Sequence, residues 1–272
     1  MSEEKELTYL YCITKSKPVC NDFKDIGVKL ALIYFQGICA VISEVSSNEF
    51  DEENFKKGLD DMNWLEEKVR RHENVIERIV QETTVLPFKF GTIFNTEENV
   101  LQLLKARGTE FRRTIEELNG KEEWGLKIYC DPKRISDTLP VENEDIKKID
   151  DEIASSGKGR AFFLRKKRED IVKNVLDKKI SEFTQDSFNR LEKLSQNAKL
   201  NKLLPAEITQ KQEKMILNAA FLINKKRIKE FDNTIAYLKS RYVPKGLEFD
   251  WTGPWPAYNF CDGFIKPGDE RS

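Results

Sequence analysis

The sequence predicts an α+β protein of two domains. A chain of 272 residues exceeds the usual size of one domain, ~100 to 200 residues. Strand-like and helix-like patterns alternate in both halves, and a hydrophobic fraction of 39% beside a charged fraction of 34% is typical of compact cores under an ionic surface. Because Asn119-Gly120 ends a helical pattern and a strand-like run follows, we predict domains at residues 1–120 and 121–272.

The first predicted domain begins with a strand at residues 7–14. Two apolar, β-branched runs at residues 29–35 and 38–45 flank Gln36-Gly37, which predicts a hairpin. From Met62 onward, apolar residues recur at steps of three and four, which predicts a long helix with one buried face.

The next predicted unit is a β-rich segment at residues 83–94 followed by a helix. Pro87 lies where an edge strand or bulge can tolerate its missing N–H, and Gly91 is expected to need a conformation or a close approach that a side chain disfavours. Thr96 is a plausible helix cap, and the apolar positions of residues 101–118 give this helix a buried stripe.

The second predicted domain has the element order βαββαβ, the order of the ferredoxin-like fold. One polar helix is expected among the turns of residues 131–156, and Gly157-Lys158-Gly159 is expected to be a flexible joint. The six main elements are predicted at residues 124–130 (strand), 160–197 (helix), 199–204 and 215–223 (strands), 228–242 (helix) and 246–251 (strand).

The composition argues against several classes of protein. Lys and Arg number 46 against 47 Asp and Glu, so the overall charge does not attract a polyanion or an acidic membrane. No run approaches the ~18 apolar residues of a membrane span, and the amino terminus lacks a signal pattern, which predicts a cytoplasmic protein. The five cysteines form no C-x-x-C motif, so we predict buried thiols, no disulfide, no metal and no cofactor: Cys12, Cys20, Cys39, Cys130, Cys261.

Candidate catalytic groups favour a structural interpretation. The single histidine, His72, falls on the apolar stripe of its helix, and no G-x-S-x-G motif supplies a nucleophile. Acidic pairs such as Asp60-Asp61 are adjacent in sequence, so their side chains diverge rather than share a proton. We therefore predict no enzyme, although an enzyme that uses scattered polar groups in a pocket stays open as a rival.

The basic cluster at residues 165–168 gives the alternative function, nucleic-acid binding by a ferredoxin-like sheet. Glu169 and Asp170 follow at once, and helical periodicity spreads the positive charge around the helix. A solvated helix face is therefore favoured. The aromatic pattern of RNA-binding sheets is also missing from residues 124–130 and 215–223, which leaves RNA binding as the weaker alternative.

The segment at residues 251–260 contains four aromatic residues, two prolines and one glycine. Such a segment cannot form a regular helix, and its aromatic side chains must pack against another part of the chain or against a partner. We predict that it folds back on the second domain and fastens the last strand. Trp255, between two prolines, is the predicted anchor, with part of the aromatic surface left to a partner.

Motifs spread over nearly the whole chain resemble the gas vesicle proteins GvpF and GvpL. They begin with Tyr9-Leu10-Tyr11 in the first strand. The other matching residues are Pro87, Phe88, Phe90, Gly91 and Thr92; Trp124 and Gly125; Gly159, Arg160, Phe163 and Arg168; Asn218, Ala220 and Phe221; and Gly253, Pro254, Trp255, Pro256 and Tyr258. Departures from the family's common residues occur at Phe88-Lys89, Phe163 and Ala257.

The resemblance implies a minor component or assembly factor of gas vesicles. It implies contact with the hydrophobic shell protein GvpA and with other accessory Gvp proteins, no catalytic group, no cofactor and no binding of nucleic acid or membrane. It also implies two α+β domains, the second a modified ferredoxin-like fold. The motif residues are expected to act structurally or in protein contacts.

Overall fold

The computed structural model describes residues 6–15, 18 and 27–261. The chain forms two compact units, one comprising Met1–Glu123 and Pro254–Ser272, the other Trp124–Gly253. We predicted that the C-terminal segment folds back on the second domain. Instead, its residues from Pro254 onward lie in the first unit, because Tyr258 and Asn259 hydrogen-bond to side chains of that unit.

The first unit contains an antiparallel sheet of five strands. Their bounds are β1 (Glu6–Thr14), β2 (Leu30–Phe35), β3 (Ile38–Ser46), β4 (Val85–Pro87) and β5 (Ile93–Phe94). The order is β2-β3-β1-β4, and β5 also pairs with β1. The predicted hairpin is confirmed: β2 and β3 pair through Phe35 and Ile38, and Gln36 and Gly37 between them both have positive φ.

The described residues of this unit also form four α-helices. They are α1 (Ser47–Phe50), α2 (Glu52–Asp60), α3 (Met62–Glu82) and α4 (Glu97–Leu118). Thr96 caps α4 as predicted, since its hydroxyl accepts a bond of 3.3 Å from the Asn99 amide. Helix α3 begins at Met62 as predicted, and the face that it buries includes His72.

The segment predicted as one β-rich stretch is divided by a turn. Only Val85–Pro87 forms a strand, and Pro87 ends β4, the outermost strand of the order. The backbone then turns through Gly91, whose φ is +79°, before β5 begins. The positive φ of Gly91 interrupts the extended backbone, which is why this segment does not form one strand.

The second unit contains a four-stranded sheet in the order β7-β8-β6-β9. The elements in chain order are β6 (Lys121–Cys130), α5 (Pro132–Glu142), α6 (Glu144–Ser155), α7 (Lys158–Glu192), β7 (Asn197–Leu200), α8 (Ala206–Thr209), β8 (Lys214–Asn224), α9 (Ile228–Tyr242) and β9 (Leu247–Trp255). Short 3-10 helices lie at Lys225–Arg227 and Val243–Lys245, and another, Tyr258–Phe260, lies in the first unit.

The prediction of one polar helix in residues 131–156 was wrong, because two helices, α5 and α6, occupy this region. Asn143 separates them. Its amide N–H bonds to the last turn of α5, while its side chain accepts hydrogen bonds from the amides of Asp145 and Ile146 and so starts α6. A short polar side chain thus ends one helix and begins the next.

Helix α7 buries few residues over its 35-residue length. Phe183 and Leu191 in its second half are buried in the core of the second unit, whereas in its first half only Ala161 is buried. The core is rich in aromatic residues, and Phe221 of β8 packs on Phe231 of α9 at its centre. The first turns of α7 therefore belong mainly to the surface.

Candidate functional site

The first unit contains a buried network of polar side chains centred on His72 of α3. The His72 side chain is 1% exposed, as the interpretation of a structural histidine predicts. Its Nδ1 lies 3.0 Å from the Tyr9 hydroxyl, and its Nε2 lies 3.1 Å from the Tyr258 hydroxyl. We call Tyr9, His72, Glu73, Gly91 and Tyr258 the His72 network.

The hydrogen bonds of the His72 network form a directed chain. Gly91 N–H donates to the Tyr9 oxygen over 2.9 Å, and Tyr258 O–H donates to the Glu73 carboxylate over 3.1 Å. When Glu73 is ionised, the Tyr258 proton is committed, so Nε2 of His72 must donate to Tyr258 and Nδ1 must accept from Tyr9. These four bonds are satisfied together when His72 is neutral with its proton on Nε2.

The electrostatics of the site agree with a neutral histidine. Burial lowers the pKa of His72 to about 4. Burial also raises the pKa of Tyr9 and of Tyr258, and the nearby Glu73 carboxylate raises the pKa of Tyr258 further. Both ring nitrogens of His72 bond to tyrosines, so this network can hold the C-terminal segment on α3 but does not offer a free base to a substrate.

Aromatic rings surround the network. Tyr11 stacks on His72 with ring centroids 5.7 Å apart, and Phe90 meets the same ring edge-on at 6.0 Å. Phe55 of α2 packs against Phe90 at 5.7 Å and lies directly over Gly91. A Cβ at Gly91 would stand 2.4 Å from the Phe55 ring, so this position excludes side chains both by its φ and by contact.

A cavity of about 210 Å³ opens beside this aromatic group. Its wall includes Tyr11 and Ser43, whose hydroxyls are hydrogen-bonded at 3.1 Å, and the charged residues Lys68, Arg71 and Glu49. Lys68 is 10% exposed and forms an ion pair with Glu49, so its charge is already balanced within the wall.

A second polar contact fixes the C-terminal segment in the first unit. Glu123 is 4% exposed, and its carboxylate accepts bonds from the Asn259 amide at 2.9 Å and from the Asn259 side chain at 2.6 Å. Trp255 is 46% exposed, so the prediction that Trp255 is the buried anchor was wrong. Tyr258 and Asn259 have that role, because their polar groups reach buried partners.

The predicted motif residues of the first unit lie close to this network. Phe88 is buried, and its amide bonds to the Tyr11 carbonyl at 2.9 Å. Thr92 is 3% exposed, and its hydroxyl donates to the Lys89 carbonyl at 2.7 Å. Gly253 ends the second unit, Pro254 and Trp255 are the last residues of β9 and belong to the first unit, and Pro256 follows them.

Among the motif residues of the second unit, Trp124 and Phe221 belong to one aromatic cluster, in which Trp251 and Phe231 connect them. Trp124 stacks on Trp251 with centroids 4.9 Å apart, and Trp251 stacks on Phe231 at the same distance, beside Gly125 of β6. Ala220 and Phe221 are buried in β8, and the Asn218 side chain donates to the Lys202 carbonyl over 2.8 Å. Thus Trp124 and the β8 residues contribute to the fold of this unit.

The motif at the start of α7 lies on the surface. Gly159, Arg160 and Phe163 are exposed, and Phe163 has 73% of its surface accessible. Arg168 forms an ion pair with Asp150 of α6, so the basic cluster proposed for nucleic acid has one of its four cations engaged within the protein.

Sequence reasoning missed Tyr9, Glu73, Glu123 and Asn259 as functional partners. Tyr9 lies in the first family motif and Asn259 in the aromatic segment of residues 251–260, but no pattern indicates which side chains meet His72 and Glu123. Cys12, Cys39, Cys130 and Cys261 are buried thiols as predicted, whereas Cys20 lies outside the described residues. No helix in residues 6–15 and 27–261 is long and apolar enough to cross a membrane, and no group of metal-ligating side chains occurs in this part of the chain.

The sequence of this chain matches a family of known proteins. The family model described as gas vesicle synthesis protein GvpL/GvpF matches residues 7–262. Gas vesicle protein L of a Streptomyces species is 25% identical over 226 residues, which cover 82% of this chain and 80% of that protein. Gas vesicle protein F1 of Halobacterium salinarum is 23% identical over 262 residues, covering 94% and 93% respectively.

The fold has a solved counterpart as well. The crystal structure of the gas vesicle protein GvpF from Anabaena sp. PCC7120 superposes with a TM-score of 0.70 at 19% sequence identity, over 94% of this chain and 98% of that one. The mixed architecture with two antiparallel sheets is therefore shared. The chain belongs to the GvpL/GvpF family of gas vesicle synthesis proteins.

Proposed function

We propose that this protein binds the hydrophobic shell protein GvpA together with other accessory Gvp proteins, limits aggregation of the shell subunit and helps to nucleate vesicle growth. The observation that carries the proposal is the family match over residues 7–262. A vesicle wall presents an apolar face to gas, so its subunit exposes apolar surface before assembly and needs a partner that covers it. The protein would act in the cytoplasm, on the growing vesicle.

We propose that the action is non-catalytic. The burial of His72 and the tyrosine bonds to both its nitrogens support this, because a general base must reach a proton of the substrate. The motif residues around the network would act structurally by fixing the C-terminal segment: Pro87, Phe88, Phe90, Gly91, Thr92 and Tyr258.

Trp255 is our candidate for direct contact with the shell subunit. It lies between Pro254 and Pro256, which restrict the backbone, and Tyr258 and Asn259 fix the segment a few residues later. A large aromatic side chain that is 46% exposed on a rigid segment loses little entropy on binding, as is typical of an interface hot spot.

We also propose that the second unit is a modified ferredoxin-like fold. Supporting this are its strand order, β7-β8-β6-β9, and its helices between β6 and β7 and between β8 and β9. The modification would be the three helices α5, α6 and α7 that connect the first two strands of this sheet.

The test is capture and protection of the shell subunit by the full chain. Purified GvpA fused to a solubilising partner is released by proteolysis, and light scattering follows its aggregation with parent protein, with Trp255→Ala and with the control Tyr237→Ala. Tyr237 is 45% exposed, which matches Trp255 in exposure. We expect the parent and the control to suppress scattering and to capture GvpA, and Trp255→Ala to do both less well at an unchanged Tm. If the parent neither captures GvpA nor slows its aggregation, the proposal is wrong.

A further inference from the structure

Two adjacent phenylalanines project from the first turns of α7. Phe162 is 68% exposed and Phe163 is 73% exposed, and among the described residues no other phenylalanine is exposed. Their rings pack edge to face with centroids 5.8 Å apart. Phenylalanine is normally buried in a soluble protein, so an exposed pair marks an interaction surface.

The helix geometry shows that both rings lie on the face of α7 that points away from the core. Ala161 is 7% exposed, Leu164 is half-buried, and Arg168 reaches Asp150 of α6, so these three positions mark the packed face of α7. With 3.6 residues per turn, Phe162 and Phe163 lie on the opposite side of the helix. Both rings can therefore be covered only by something outside the described fold of this unit.

The charged residues next to the pair along α7 are all basic from residue 158 to residue 168. The sequence carries six cations and no carboxylate between residues 158 and 168. Lys166 lies one turn beyond both rings, where the apolar part of its side chain can extend the surface. We call the exposed residues of this stretch the Phe162 surface: Lys158, Arg160, Phe162, Phe163, Arg165, Lys166 and Lys167.

We propose that the Phe162 surface binds an acidic amphipathic segment of a partner protein. Apolar side chains of the segment would cover both rings, and its Asp and Glu residues would lie against the flanking cations. Charge complementarity makes the basic rim selective for an acidic segment, while the ring pair supplies the apolar contact.

A protein segment fits this surface better than nucleic acid does. Bases stack on ring faces, but the two rings are inclined at 82° on a convex helix, so they do not form a common stacking platform. Glu169 and Asp170 follow directly on the same helix and interrupt the track of positive charge that a phosphate backbone needs.

The experiment measures binding of fluorescent peptides to the full chain. The probe is a designed amphipathic helix of about 20 residues with Leu and Glu on opposite faces, and its counterpart carries Lys in place of Glu. We expect the acidic peptide to bind at least about tenfold more tightly than the basic one. The double variant Phe162→Ser with Phe163→Ser should weaken the acidic complex at least about tenfold, and Arg165→Glu with Lys167→Glu should remove the preference for acid.

The control is Val141→Ser with Ile208→Ser, which removes two apolar side chains of similar exposure from the same unit. It should bind like the parent, and the Tm of every variant should stay within a few degrees of the parent value. Equal binding by the phenylalanine variant, or no binding of the acidic peptide below about 100 µM, would overturn the proposal. Tighter binding of a fluorescent oligo-dT or of phosphatidylglycerol vesicles, lost in the same variant, would also overturn it by assigning the surface to nucleic acid or membrane.

Binding at the Phe162 surface is independent of the proposed function, because the peptide assay does not involve the shell subunit. Failure of the peptide experiment leaves capture of GvpA to be judged by its own assay.

Discussion

Replacing Gly91 by alanine should destabilise the protein through two separable effects. The residue has a φ of +79°, a region that costs an L-residue about 1 to 2 kcal/mol. The new Cβ would also lie 2.4 Å from Cζ of Phe55, well inside van der Waals contact. Phe55 is held between Phe50, Trp64 and Phe90, so its ring cannot move aside without disturbing the cluster.

The contact should add about 1 to 3 kcal/mol, the usual cost of overpacking a core. The free energy of unfolding should therefore fall by about 2 to 5 kcal/mol in Gly91→Ala, and further in Gly91→Val. Gly120 is a matched control, because its φ is +70° and nothing lies within 4 Å of an added Cβ. Gly120→Ala should show the conformational cost alone, about 1 to 2 kcal/mol.

Urea denaturation of the parent, both single variants, Phe55→Ala and the double variant Phe55→Ala with Gly91→Ala gives the required free energies. We expect Gly91→Ala to cost less in the Phe55→Ala background than in the parent, by roughly the overpacking energy of about 1 to 3 kcal/mol. Equal costs at Gly91 and Gly120, or no coupling between Gly91 and Phe55, would refute this account of the turn.

Five further substitutions test the contacts of the C-terminal segment and the core. Tyr258→Phe removes the hydroxyl that bonds to His72, and urea denaturation should show a loss of about 1 to 3 kcal/mol; a loss below the error of the method would contradict the network. The pKa of His72 is about 4 in the folded chain against 6.5 for the free side chain, so the unfolded chain binds more protons between these values and acid destabilises the fold. As the pH falls through this range, the free energy of unfolding of the parent should decrease by up to roughly 3 kcal/mol more than that of His72→Gln. If the free energies of the two proteins changed in parallel with pH, His72 would titrate normally. Trp255→Ala should change the free energy of unfolding by less than about 1 kcal/mol, because its side chain is half exposed. Trp251→Ala should lower the free energy of unfolding by about 3 to 5 kcal/mol, because it opens a ring stack. A larger loss for Trp255→Ala than for Trp251→Ala would show that Trp255 is the anchor after all. Glu123→Ala should leave the polar groups of its asparagine partner unsatisfied and cost about 1 to 3 kcal/mol in the same assay, and a neutral result would mean that this contact is replaced by solvent.

The sequence predicted correctly those turns, caps and helix starts that depend on neighbouring residues. The turn at Gln36-Gly37, the cap at Thr96 and the start of α3 at Met62 each depend on residues within a few positions, and each is confirmed. The two helices in residues 131–156 were missed because Asn143 acts as the end of one helix and the cap of the next, and only the hydrogen bonds reveal this double role.

The candidate site was predicted less completely, for a physical reason. The burial of His72 follows from helical periodicity, but its partners Tyr9 and Tyr258 lie 63 and 186 residues away in sequence. Such contacts are set by the tertiary fold rather than by spacing. The same limit explains why the prediction for Trp255 was wrong. The composition of residues 251–260 indicates an aromatic anchor, but only the packing shows that Tyr258 has that role.

The first unit is discontinuous, since the chain leaves it after Glu123 and returns at Pro254. The two crossings lie on neighbouring strands of one sheet, β6 and β9. When the second unit has folded, it brings these crossings together and shortens the effective loop between His72 and Tyr258 from 186 residues to about a third of that length, which lowers the entropic cost of closure by roughly 1 kcal/mol. During synthesis, His72 leaves the ribosome long before Tyr258. The strands and helices near the amino terminus therefore cannot form the contact between His72 and Tyr258 until the end of the chain has been made. Folding of the second unit should therefore accelerate formation of the contact between His72 and Tyr258.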